Sequence, residues 1–292
     1  MRKILKWIGI VVGVLVGLII LAAVGLYAST GMRLNKTYNI QPEALTIPTD
    51  AAALERGKRL AAIYCTGCHG DDLSGTAFFN DPAIGTINAP NLTPGKGGAG
   101  SEFTDANWVL ALRHGINPEG KPLLIMPSAD LYYLSDQDLG AIIAYVKSLP
   151  PVDKEWGEYK VTPMARILLG IGAFGDAISA EVIDHTGPRP VAPAAGVTVA
   201  YGDYLVKTFG CATCHSKDLS GGKDPNPAAP PAPNLTPGGE LKIWTEADFI
   251  TAVRTRVGEF MPWKDMDKMT DDEVKAVWLY LQSLPAKETT TK

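Results

Sequence analysis

Two five-residue strings, Cys65-Thr66-Gly67-Cys68-His69 and Cys211-Ala212-Thr213-Cys214-His215, decide how this chain is read. Together they use all four of its cysteines. Two thiols three positions apart can reach the two vinyl groups of one porphyrin, and the adjacent histidine can reach the iron from one face. The strings therefore predict two covalently bound haem c groups, held by Cys65 and Cys68, and by Cys211 and Cys214. Other uses of paired cysteines fit poorly. A zinc ribbon sets its two CxxC strings roughly 15–20 residues apart, whereas 142 residues separate Cys68 from Cys211. A redox dithiol needs no following histidine, and a disulfide framework needs a small, cysteine-dense chain.

Outward from the strings, the sequence repeats itself. Each copy opens with a short helical stretch containing a glycine, Gly57 or Gly202, that would let another helix pack close. Next come Asp72-Leu73-Ser74-Gly75 and Asp218-Leu219-Ser220-Gly221. The heptapeptide Ala-Pro-Asn-Leu-Thr-Pro-Gly stands at 89–95 and again at 232–238. A helical segment follows, Thr104 to His114 or Thr245 to Arg256, and then a Met-Pro pair, Met126-Pro127 or Met261-Pro262. Ser135 to Leu149 aligns without a gap to Thr270 to Leu284, with capping-box starts and proline stops at Pro150 and Pro285. Each copy reads as helix and loop around one large apolar filler, and a haem supplies it.

The sixth iron position decides the chemistry: a thioether makes an electron carrier of raised potential, and an open site permits ligand or oxygen chemistry. Met126 is the only methionine of copy one. Of Met261, Met266 and Met269 in copy two, only Met261 precedes proline and lies nine residues before the closing-helix cap, as Met126 does. The expected iron ligands are therefore His69 with Met126 and His215 with Met261. His114 reads as a surface or capping residue, and His185 lies in the segment between the copies. The carbonyls of Pro90 and Pro233 are candidate acceptors for the second ring nitrogen of each ligating histidine, and Leu92 and Leu235 would pack on the porphyrins.

Arg2, Lys3 and Lys6 precede an uncharged run of 21 residues, Trp7 to Tyr27. As a helix it spans about 31 Å, close to the ~30 Å hydrocarbon core. It reads as an uncleaved anchor; the alternative is a cleaved signal peptide with Ala28 and Ser29 near the cut. Basic residues before the span put the rest of the chain on the outer face of the cytoplasmic membrane. The net charge of −4 and the lack of a basic patch exclude a nucleic-acid partner. Without the three basic residues of the tip the remainder carries −7, which suits a basic docking surface on a partner.

These motifs make the chain resemble the class I cytochrome c family, in its membrane-anchored dihaem form. The resemblance covers both CxxCH strings, both Pro-Asn-Leu loops, both Met-Pro pairs and both closing helices. It implies an all-α fold: two tandem cytochrome c domains after a transmembrane helix, each with four or five helices around a haem and its first and last helices crossing. The expected divisions are 1–30 for the tip and anchor, 31–50 for a polar stalk, 51–150 for domain 1, 151–196 for a linker and 197–288 for domain 2. Arg113 and Arg254 align between the copies and would pair with haem propionates. The linker falls outside the family pattern; it would pack between the domains, cover a haem edge or touch the membrane.

The function expected is electron transfer. A membrane-bound or periplasmic oxidoreductase, such as a dehydrogenase or quinol-oxidising complex, would supply electrons, and a terminal oxidase or soluble carrier would take them. The alternative is a dihaem peroxidase, which needs one haem with an open sixth site and a nearby acid–base pair.

Overall fold

A computed structural model describes residues 2–157, 159–223, 229–258 and 260–290. Helix α1, Arg2–Leu34, contains the apolar run and carries it past the membrane-length segment to Leu34. Its most apolar window has a mean hydropathy of 2.9, and no part of that window is buried by the rest of the protein. It is one helix long and apolar enough to cross a membrane. Of residues 31–50, expected as a polar stalk, 31–34 continue α1 and 36–49 form no regular element; Leu45 and Ile47 pack on the first core.

The two repeats are built alike. The first contains α2 (Ala51–Tyr64), the attachment turn Thr66–His69, α3 (Asp105–His114) and α4 (Asp136–Lys147). After α5 of the linker (Pro163–Gly170), the second contains α6 (Val199–Thr208), the turn Cys211–His215, α7 (Glu246–Thr255) and α8 (Asp271–Ser283). The first and last helices of each repeat cross at glycine. A Cβ on Gly57 would stand 1.9 Å from the Ala141 carbonyl oxygen, and one on Gly202 would stand 2.0 Å from that of Ala276. Only a residue without a side chain lets the two backbones meet there.

Caps start the helices where the sequence places them. Thr104, Thr245 and Thr270 form two-way capping boxes with Asn107, Asp248 and Glu273. Ser135 makes only the half facing Asp138 N–H, because the Asp138 carboxylate is turned to Arg56 and Tyr204.

The architecture is mostly α, with one departure from the helix-and-loop expectation. Thr76–Asp81 (β1) and Gly85–Ala89 (β2) form an antiparallel hairpin, and Lys160–Val161 (β3) of the linker pairs with β2. Phe78 and Phe79 are adjacent and both exposed, so β1 lacks the apolar alternation that marks a strand in a sequence.

Candidate functional site

In the second repeat one cavity of about 310 Å³ collects the expected residues. Cys211, Cys214, His215, Pro233 and Met261 all line it, together with Phe209 and Phe260. Gly210 begins the attachment turn with φ +71, a left-handed conformation suited to glycine. Burial pushes the thiols of Cys65 and Cys211 up to about 12. They stay protonated at neutral pH.

The histidines are held identically in both repeats. Nδ1 of His69 lies 2.8 Å from the Pro90 carbonyl, and Nδ1 of His215 lies 2.8 Å from that of Pro233. A carbonyl only accepts, so Nδ1 carries the proton and the ring's lone pair sits on Nε2, as an iron ligand needs. Burial holds the His69 ring below its ordinary value and keeps it neutral. Both sites therefore fit haem c: paired thiols, an imidazole oriented by a carbonyl and, in the second repeat, a methionine within one apolar cavity.

The loops that supply those carbonyls are clamped by residues the sequence reading passed over. Leu73 and Leu219 adopt φ +58 and +60, unusual for a branched apolar residue. Their carbonyls accept from Leu92 N–H at 2.9 Å and Leu235 N–H at 2.8 Å. The buried Asn91 donates to the Val152 carbonyl at 2.7 Å, and Asn234 to that of Lys287 at 2.8 Å. Each asparagine thus ties the histidine's acceptor loop to the chain just past a closing helix. The signal was present: both asparagines sit inside the duplicated heptapeptide.

The Met-Pro loops differ between the repeats. Met126 packs on the same core as Cys65 and Leu92. Its carbonyl accepts from Ser179 Oγ at 2.7 Å, and Ile125 N–H donates to Ala177 at 2.7 Å, so the linker covers this loop. Ile125 has φ +67, a strained state for a β-branched residue that the linker contacts hold in place. Met266 and Met269 lie in the second core, 5% and 4% exposed.

The sequence profile of the cytochrome c family matches residues 54–150 and 199–285, more than half of the chain. This chain belongs to the cytochrome c family. It is similar to the cytochrome c subunit of a quinone-dependent alcohol dehydrogenase from Gluconacetobacter polyoxogenes, 29% identical over 83% of this chain and 58% of that subunit. It is also similar to the cytochrome subunit of a fructose dehydrogenase from Gluconobacter japonicus, 28% identical over 83% of this chain and 55% of that subunit. A diheme cytochrome c-type protein of Cereibacter sphaeroides is 27% identical over 92% of this chain and 97% of its own length. The chain thus spans a little over half of the two dehydrogenase subunits.

Arg113 and Arg254 of this cytochrome keep their equivalence, and each has partners within the chain. Arg113 donates to the Leu134 carbonyl at 2.7 Å and Asp136 at 2.8 Å, and also pairs with Glu43. Arg254 donates to the Met269 carbonyl at 2.8 Å and Asp271 at 2.8 Å. Both therefore brace the chain between the Met-Pro loop and the closing helix. His114 is not a surface residue. It is 3% exposed, with Nδ1 3.0 Å from His185 Nδ1 and Nε2 3.2 Å from Glu43. The segment before α2 and the linker close over it, which a reading of the repeat alone could not anticipate.

The cytochrome's two repeats dock reciprocally. Each attachment turn faces the turn that follows the other repeat's Met-Pro pair. Asp265 stands against Gly67, where a Cβ would come 2.8 Å from its carboxylate. The equivalent Asp130 stands against Gly210 and Thr213, with Thr213 Oγ1 3.4 Å from its carboxylate. Arg59 pairs with Glu273 at 2.7 Å, and Tyr204 donates to Asp138 at 2.6 Å, both across the interface. Ile63 of α2 lies within the second repeat's core.

The two aspartates are not equal. Asp265 pairs with Lys268 at 2.8 Å, while Tyr133 occupies the matching position beside Asp130. Burial, with Asp176 adding to it, raises the Asp130 carboxyl to about 6. Its folded value lies above its unfolded one, so the folded state loses stability as pH rises from about 4 to about 6. Asp130→Asn is expected to stabilise the protein at pH 7 by up to about 3 kcal/mol and to change nothing at pH 3. Thermal melts of both forms at the two pH values test this; an equal shift at both would contradict it.

Proposed function

We propose that this cytochrome is a membrane-tethered dihaem electron relay. The supporting observation is the reciprocal docking: each CxxCH turn packs against the turn following the other repeat's Met-Pro pair, which brings both cofactor sites to one interface. Bound haem supplies reversible one-electron chemistry at iron. The protein's own groups do the rest. Cys65, Cys68, Cys211 and Cys214 hold the two porphyrins covalently. Pro90 and Pro233 orient His69 and His215, which would ligate the irons together with Met126 and Met261. Leu92 and Leu235 pack on the rings and exclude water.

The apolar helix α1 is read as the anchor, and the basic tip before it favours haem domains on the outer face. Likeness to dehydrogenase cytochrome subunits supports a membrane-bound or periplasmic dehydrogenase as the electron donor. A terminal oxidase or soluble carrier completes the relay as acceptor.

Haem quantification and a redox titration test the reading together. Two haems per chain, both low-spin with thioether ligation and neither turning over peroxide, are expected. One haem per chain, or peroxide turnover tied to an open sixth site, would replace the relay with another function. The negative charge of the exported part adds a second expectation. Electron transfer to the native partner should slow as salt rises from ~10 mM to ~150 mM, as the Debye length falls from about 30 to 8 Å. A flat salt profile in stopped-flow would remove the electrostatic docking.

A further inference from the structure

We propose that the linker helix α5 and the loop after it form a second membrane contact, lying in the interface of the leaflet at which α1 ends. The proposal rests on the reading of α1 as a membrane span.

The depth of α5 follows from its contacts. Gly170, at its end, packs on α1: a Cβ there would come 3.0 Å from Thr30 Oγ1 and 3.1 Å from Leu26 Cδ2. Leu26 lies inside the uncharged run that ends at Tyr27. The guanidinium of Arg166 sits 5.1 Å over the Tyr27 ring. Arg33 then locks the exit of α1, donating to Glu181 at 2.6 Å and to the Leu169 carbonyl at 3.3 Å. Thr30 and Leu34 are buried in this joint. The end of α5 is therefore fixed beside the last turns of the apolar run, at the level where aromatic residues meet the headgroups.

The outward face of α5 suits that level. Ala165 and Leu169 are buried on its inner side. Met164, Leu168 and Ile171, spaced i, i+4 and i+7, form the opposite stripe. Met164 is 55% exposed and Ile171 is 62% exposed. Between Pro163 and Phe174 the only charged residue is Arg166. A helix apolar on both faces is normally covered on both, and here the bilayer beside α1 provides the second cover. An apolar face dipping about 5–10 Å into the headgroup–acyl boundary is the usual placement for such a segment. Two contacts, α1 and α5, would fix the tilt of the first repeat against the membrane, which a single helix on a loose stalk would not.

The test uses the full-length holoprotein in phosphatidylcholine vesicles. The haem thioethers consume the four native thiols, so Ile171→Cys and, separately, Met164→Cys take a nitroxide label alone. Val257→Cys, at a site 94% exposed on the second repeat, is the aqueous control. With the haems reduced, the ratio of relaxation by oxygen to relaxation by a nickel chelate should be several-fold higher at 171 and 164 than at 257. A ratio equal to the control overturns the contact. Shielding from both reagents overturns it in favour of a protein cover. Flotation of the same samples reports α1 independently: protein that does not float removes the span and the contact with it, whereas floating protein with an aqueous label at 171 removes the contact alone.

Discussion

Gly202→Ala is expected to unfold the second repeat at a much lower temperature than the parent. On an open helix this change would gain up to about 1 kcal/mol in propensity. At the α6–α8 crossing the new methyl would sit 2.0 Å from the Ala276 carbonyl oxygen and 2.6 Å from its carbonyl carbon. Both are backbone atoms inside a helix and cannot turn aside, so the helices must separate. Overpacking of this kind costs about 3 kcal/mol or more, and a domain of this size loses about 4–8 °C per kcal/mol. A fall of ~12 °C or more in the melting of the haem-linked absorbance is the expected reading. Gly157→Ala, where nothing lies within 4 Å of the new atom, is the matched control and should leave the melt unchanged. Equal melts for the two variants would mean that the crossing tolerates separation.

The second large effect is at the sixth iron position. Met261→His is expected to remove the thioether-to-iron charge-transfer band from one haem of the two. It should also lower one midpoint potential by more than about 0.1 V, within the ~0.8 V range that axial ligands command. Met261 lines the cavity that also holds Cys211, Cys214 and His215, whereas Met266 and Met269 are buried in the core. Met266→Leu and Met269→Leu should therefore leave both the band and the potentials in place. If Met269→Leu removed the band, the ligand assignment would pass to that residue.

The building plan of the cytochrome is legible in its sequence because it is written in short spacings. CxxCH, the duplicated Pro-Asn-Leu loop and the closing-helix caps each act over a few residues, and their partners lie nearby in the chain. Doubling separates such signals from chance. The hairpin of Thr76–Asp81 and Gly85–Ala89 is not legible there for the converse reason. Its strand carries two neighbouring exposed phenylalanines, and β3, the strand that completes its sheet, lies far along the chain in the linker.

Arg113 and Arg254 show where local reading stops. Their alignment between the copies identified them as a matched pair, but an arginine's partner depends on which carboxylates and carbonyls the fold brings near. His114 is the sharper example. Its burial depends on His185, 71 residues away, and on Glu43, 71 residues away in the other direction.

From its own residues the chain determines the cofactor chemistry of its family, the presence of two similar units and an apolar helix of membrane length. These rest on local spacing, helical period and hydrophobicity, which need no distant partner. Only the tertiary structure decides that the attachment turns face each other's Met-Pro turns, that the half-buried Asp130 lacks the lysine Asp265 has, and that α5 lies against the end of α1. Each of those is a contact between segments far apart in sequence, chosen by how two cores and a linker fit together rather than by any local pattern.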